Sequence, residues 1–212
     1  EEKPDTSETV LTSETAYSNV FHKDGGNASF SVMANTLRGI YGSDVLVAAA
    51  NSFTGSVLQA DYTKATARAM IMSNGLRAYH ATMTGAELKD TLRAFVEGCK
   101  DGFTPFNRGS LPVVSGIAVQ VQENDGGYAL TGVTRNGQPL RDDDTVTVTC
   151  LATEKQMAPL LQNETHAFEC GEETVKNTWG DAVSSGSVAL AAPESYITLG
   201  GDKALWKMII GN

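Results

Sequence analysis

A chain of 212 residues with a formal net charge of -9 and only 16 lysines and arginines has no basic cluster, so phosphate backbones and anionic lipid surfaces would repel it. Hydrophobic residues at 41% and charged residues at 19% are those of an ordinary globular chain, long enough to bury a real core. No run approaches the roughly 18 apolar residues that span a bilayer, and acid at Glu1 and Glu2 stands where a signal peptide would be basic.

Residues 1–14 are acidic, rich in Ser and Thr and almost without large apolar side chains. Such a stretch cannot bury enough surface to order itself; it reads as the tail of a linker, leaving 15–212 as a single domain. Phe30, Met33, Leu37 and Ile40 fall at helical spacing, so a helix is predicted over 27–41, stopping at Gly39 and Gly42. VLVAAA at 45–50 suits a buried strand. It runs into a polar, glycine-bearing turn at 51–55, and in α/β architecture ligands tend to sit at the carboxyl ends of strands. Residues 62–70 read as a short helix. Over 76–83, Leu76, Ala78, His80 and Thr82 alternate with Arg77, Tyr79, Ala81 and Met83, a strand pattern. Thr84 with Glu87 makes a capping box. Leu88, Leu92, Phe95 and Val96 form the buried stripe of the helix it opens, which Gly98 ends.

Past Val113 the texture turns to β. Ile117, Val119 and Val121 alternate with Ala118, Gln120 and Gln122, NDGG turns the chain, and 128–133 returns as a second strand. The Asn-Gly of RNGQPL is the strongest short hairpin signal. TVTVTCLA at 145–152 is a third strand, with Asp142, Asp143 and Asp144 as turn residues ahead of it. A helix over 175–183 and a short strand in YITLGG complete the pattern.

Few of the remaining residues point to chemistry by themselves. His22, His80 and His166 are widely spaced, without the D-x-H, G-N-H-[DE] or G-H-x-H runs of a dinuclear metal site. Cys99, Cys150 and Cys170 form no CxxC; they read as buried small hydrophobes, or as one disulfide with a cysteine left over. Arg68, Arg77 and Arg93 suit surface charges or local salt bridges, and His80 a packed or surface histidine. Arg108, in FTPFNRG, is a surface charge or a ligand contact. Phe103 and Phe106 are core anchors or stacking platforms, and Trp179 and Trp206 late core contributions.

Four segments in order carry a family resemblance. Met83-Thr84-Gly85-Ala86-Glu87-Leu88-Lys89, with Leu92, is similar to the TGaeLk…L segment of the 5′-nucleotidase C-terminal domain. Upstream, MANTLR and then SDVLVAAANS resemble that domain's helix and its strand ending at an Asn with glycines. Downstream, LPVVSGIAVQV resembles its vSG-strand element, and GVTRNGQPLRDDDTVTVTC its recurring hairpin. The elements keep the family order over roughly 26–153.

The resemblance implies an α+β fold of layered mixed β-sheets with helices packed outside, and a role in recognition. In full-length relatives such a domain follows a metallophosphoesterase domain whose divalent metal ions activate the attacking water. The implied chain is therefore the substrate-recognition domain of a nucleotide or cyclic-nucleotide phosphohydrolase. It has no catalytic residue, metal ligand or cofactor of its own, and an N-terminal metallophosphoesterase domain is its partner. Neither nucleic acid nor membrane insertion is implied, and the address is extracytoplasmic: secreted, periplasmic or cell-surface. The substrate-binding residues it assigns are Asn51, Ser52, Gly55 and Ser56 on the turn, Met72 and Asn74 in Ile71-Met72-Ser73-Asn74, and Arg108. This chain departs from the pattern in three places. Ser56 stands where the family turn ends in Arg, Met72 where a Phe stacks on the base, and 151–156 where a G-G-D loop is found. Methionine offers an adaptable apolar contact in place of a π-face worth about 1–3 kcal/mol. Serine is a weaker phosphate partner than a guanidinium fork. Asn51 and Asn74 also suit plain turn residues. The alternative is a degenerate, non-catalytic structural or interaction domain of a secreted or cell-surface protein.

Overall fold

The computed structural model describes residues 8–49, 52–97, 111–124, 127–161 and 167–201. The chain enters through β1 (Thr9–Ser13), antiparallel to β5 (Ala60–Thr63). This corrects the linker expectation for these residues. Leu11 is only 4% exposed, and pairing with β5 satisfies the backbone, so one anchored leucine orders a segment whose average composition is that of a linker. After the short pair β2 (Phe21–His22) and β3 (Gly26–Asn27) comes α1 (Ala28–Tyr41). Asn27 caps it by accepting the Phe30 N–H at 2.9 Å. Gly39 stays inside the helix, and Gly42, at φ +64°, is the left-handed residue that ends it.

Next, β4 (Val45–Ala48) is wholly buried, which is why it reads as an unbroken apolar run. It lies between β7 (Val113–Ser115), antiparallel, and β11 (Thr145–Ala152), parallel. The predicted helix over 62–70 is instead the end of β5 followed by a short α2 (Lys64–Arg68). Pairing with β1 holds Tyr62 in a strand, and Thr63 caps α2. Then β6 (Arg77–Thr84) feeds α3 (Gly85–Glu97) through the predicted capping box. Thr84 N–H donates to Glu87 Oε2 at 2.6 Å, and Glu87 N–H to Thr84 Oγ1 at 3.3 Å. A Cβ at Gly85 would meet the Arg141 carbonyl oxygen at 2.0 Å, so the glycine admits the close approach of that loop.

The run from Val113 divides at Gly116. Before it lies β7; after it, β8 (Ala118–Asn124) belongs to a second sheet. β9 (Gly127–Arg135) and β10 (Gln138–Pro139) meet at Asn136 and Gly137, whose φ values of +52° and +75° are those of a type I′ hairpin turn. Although β11 follows this hairpin, it crosses to the first sheet and pairs along β6 from Thr145 to Ala152. Past β11, two elements have no counterpart in the sequence expectation, because their local signals are faint. α4 (Glu154–Leu161) contains Pro159 and buries only Met157 and Leu160. β12 (Glu169–Thr174) is a largely exposed edge strand with no alternation to read. By contrast α5 (Val175–Ser184) and β13 (Ile197–Gly200) fall where expected.

The sheets are therefore a five-stranded one, ordered β12-β6-β11-β4-β7, and a four-stranded one, ordered β10-β9-β8-β13, with two small pairs beside them. Both large sheets are mixed, since β4–β11 and β8–β13 are parallel. The fold is α+β with mixed sheets and helices, as the resemblance implies. Trp179 on α5 is fully buried and donates its indole N–H to the Ala67 carbonyl at 2.8 Å, docking α5 on α2. Cys150 is a buried free thiol and Cys170 an exposed one, so the small-hydrophobe reading holds only for the former. Cys99, Phe103, Phe106 and Trp206 lie outside the described residues, as do residues 1–7 of the expected linker.

Candidate functional site

The turn after β4 and the segment before β6 are stitched side by side by their backbones. Met72 N–H donates to Ser52 O and Thr54 N–H to Met70 O, both at 3.0 Å, and Phe53 bridges Ile71. Beneath this seam Phe53 and Ile71 are buried, with the Phe30 ring of α1 centred 5.8 Å from that of Phe53. The start of α1 also pins the turn, because Ser29 Oγ donates to Gly55 O and accepts Val57 N–H. Gly55 itself has φ +56°. Apolar side chains thus anchor the seam from below and leave its outer edge to solvent.

Along that edge Gly55 and Ser56 are exposed and Met72 is 53% exposed. The Ser52 side chain is buried, at 1% exposure, so it faces no surface ligand; its carbonyl holds the seam together. Asn74 Oδ1 accepts from Lys176 Nζ at 3.0 Å. Lys176 is a cation that sequence reasoning passes over, because it reaches this edge only through the docking of α5 on α2. The Arg68 Nη2 bond to Asn177 Oδ1 at 2.8 Å belongs to the same contact. Asn51 and Arg108 lie outside the described residues. Arg77 donates to the carbonyls of Gly171 and Glu172, and Arg93 pairs with Asp90, as local partners.

Two further cavities are lined by described residues. One, of about 440 Å³, lies over β6, β11 and β12 and is lined by Tyr41, Ser43, His80, Thr82, Thr149 and Glu169, among others. Register sets Glu169 and Thr149 opposite His80 on its two neighbours. His80 Nδ1 is 3.0 Å from Thr149 Oγ1, and its ring centre is 5.4 Å from that of Tyr41. Burial lowers the His80 pKa below the usual 6.5, with Glu169 opposing, so at neutral pH the imidazole is uncharged. Thr149 is fully buried, which leaves the pair without an accessible nucleophile. The other cavity, of about 420 Å³, lies at the corner between the two sheets. Its signal in the sequence was a buried strand led by Asp44 and a glycine, Gly116, inside an apolar run. Among the described residues no three His, Cys, Asp or Glu side chains are placed to hold a metal ion. Nor, among them, is any helix long and apolar enough to cross a membrane.

No model of a known protein family matches the chain, and no curated protein matches it in sequence. Solved structures do match. The NAD nucleotidase NadN of Haemophilus influenzae superposes with a TM-score of 0.70 at 16% identity, over 93% of this chain and 39% of its own. A 5′-nucleotidase precursor from Thermus thermophilus gives 0.68 at 13% identity, over 92% and 40%. The sulfate thiohydrolase SoxB of the same organism gives 0.63 at 16%, over 91% and 35%. The chain spans 35–40% of the length of these structures. At such identities the likeness speaks for architecture alone. The chain has the α+β fold of the 5′-nucleotidase C-terminal domain.

Proposed function

We propose that the chain is the substrate-recognition domain of an extracytoplasmic, 5′-nucleotidase-like phosphohydrolase. In this reading an N-terminal metallophosphoesterase domain supplies the divalent metal ions, which activate water for attack on phosphorus. The chain's own part is to hold and orient the rest of the substrate. One observation carries the reading: on a fold shared with nucleotidases, the two segments that the resemblance assigns to ligand run side by side with an exposed edge. On that edge Met72 gives an apolar face to a base, Ser56 a hydroxyl, and Lys176 a cation beside Asn74.

With a thioether where a ring stacks and a hydroxyl where a guanidinium sits, the site is weak. Adenosine and AMP should bind no better than millimolar, about 4 kcal/mol. The test is calorimetry with AMP on the native chain and on a Met72→Phe, Ser56→Arg variant. Restoring a stack and a charged hydrogen bond should tighten AMP by two to four orders of magnitude, about 3–5 kcal/mol. Micromolar binding by the native chain, or no gain in the variant, sinks this assignment. A second reading, a structural or interaction domain, is favoured by the apolar exposure of Met72 and Leu58 at 53% and 59%. It predicts that the variant gains nothing.

A further inference from the structure

The 420 Å³ cavity at the sheet corner is separate from the edge described above. Asp44 precedes β4 and Ser52 follows it, so the four-residue length of the strand, roughly 13 Å, lies between them. Two arginines line the cavity. Arg38, in the last turn of α1, donates Nε–H to Ser115 Oγ at 2.8 Å, and Ser115 is itself only 1% exposed. That bond fixes the plane of the guanidinium. Among the described residues neither Nη group of Arg38 has an acceptor and no carboxylate pairs with it.

Arg135, at the end of β9, donates Nη2–H to Asp44 Oδ1 at 2.6 Å. The other oxygen of Asp44 is taken by Thr147, through the backbone N–H at 2.9 Å and the hydroxyl at 3.0 Å. Foremost among the causes, the backbone bond from Thr147 holds the Asp44 pKa below the ordinary carboxylate value, so it stays charged. Asp44 therefore orients Arg135, and among the described residues no hydrogen bond joins it to Arg38. The other carboxylate of the lining, Glu194, is exposed at the mouth. Gly116 keeps the floor open. With φ +81° and a Cβ position 2.1 Å from the Asp44 carbonyl oxygen, no side chain can be placed there.

Two guanidinium groups, each held by a fixed partner and each with donors to spare, face a cavity of small-molecule size in an otherwise acidic chain. Such forks match the paired oxygens of a carboxylate or phosphate. We propose that this cavity is a binding site for a small oxyanion, a phosphate or a carboxylate, gripped between Arg38 and Arg135. The proposal is independent of the nucleotide reading, because it uses no residue of the exposed edge.

The experiment titrates the chain at low ionic strength with inorganic phosphate and, separately, with succinate, following backbone amide shifts by NMR. Saturable shifts confined to the neighbourhoods of residues 38, 116, 135 and 194 are expected with at least one probe. The tighter probe identifies the class. Arg38→Met and Arg135→Met should each weaken binding at least tenfold, and Arg38→Lys less than Arg38→Met. Glu194→Gln alters only an exposed side chain and should tighten binding two- to threefold, which keeps the proposal testable if an arginine variant fails to fold. Saturation by neither probe below about 10 mM overturns it. So do shifts scattered over the surface, or an affinity that Glu194→Gln and the folded arginine variants leave unchanged.

Discussion

The centre of the five-stranded sheet and the exposed edge formed by 52–56 with 71–74 lie next to one another in the chain yet obey different rules. In β4 every side chain is buried, and each position is set by neighbours on both sides. On the edge the backbone is as firmly paired, but Ser56 and Met72 face solvent and nothing in the packing dictates their identity. The same seam thus offers one surface that stability constrains and another that it leaves free to vary. This is how a fold found in NadN, a 5′-nucleotidase and SoxB can vary at such exposed positions without losing its architecture.

The largest expected effect comes from breaking the buried side. Trp179→Ala removes a fully buried ring and its bond to the Ala67 carbonyl, and should cost about 3–5 kcal/mol. Thermal or urea unfolding measures it, and a loss under about 1 kcal/mol would mean that α5 is not docked as described. Because the same docking carries Lys176 to Asn74, Asn74 amide shifts should collapse towards solvent values in the folded fraction. A second, smaller break is Thr84→Ala, which removes one half of the capping box and should cost about 1 kcal/mol. Adding Glu87→Ala removes the other half, the bond from the Thr84 N–H, and should cost about as much again.

A still smaller effect lies in pH. The folded His80 pKa is lowered by burial. The stability it contributes is present above the unfolded value of 6.5 and is lost as pH falls through the folded one. Between pH 7 and pH 5 the native chain should therefore lose more stability than a His80→Gln variant, and parallel curves would show the imidazole to be solvated. Smallest of all is the effect on folding at the edge. Met72→Phe with Ser56→Arg should change stability by no more than about 0.5 kcal/mol, because both side chains are exposed. The native chain alone should release no phosphate from AMP with Mn²⁺, Zn²⁺ or Mg²⁺, and turnover surviving repurification would overturn the division of labour proposed for it.

Local rules made much of this fold legible. The stripe of α1, the apolar run of β4, the Thr84–Glu87 box and the Asn136–Gly137 turn each rest on residues close in sequence. What escaped is set by partners far away. Thr9–Ser13 is a strand because β5 lies beside it, and Glu169–Thr174 because β6 does. Nothing local says that Gly116 sends one apolar run into two sheets, or that β11 abandons the hairpin it follows. The site divides in the same way. The resemblance pointed to the turn and to 71–74, and the backbone joins them. The burial of Ser52 is set by its tertiary surroundings, and the arrival of Lys176 at Asn74 by docking across 102 positions.

The position of Cys150 makes the molecule its own timekeeper. Its thiol is pushed up to about 12 by burial, and in β11 it is flanked by Val47 of β4 and Tyr79 of β6. No thiolate reaches solvent there until β11 parts from both neighbours, an event that belongs to global opening. Cys170, exposed on the edge strand, reacts from the folded state. An alkylating reagent followed by mass spectrometry would therefore mark Cys170 at once and Cys150 only at the pace of unfolding. The delay between the two marks measures how often the central sheet comes apart, with no label added to the chain.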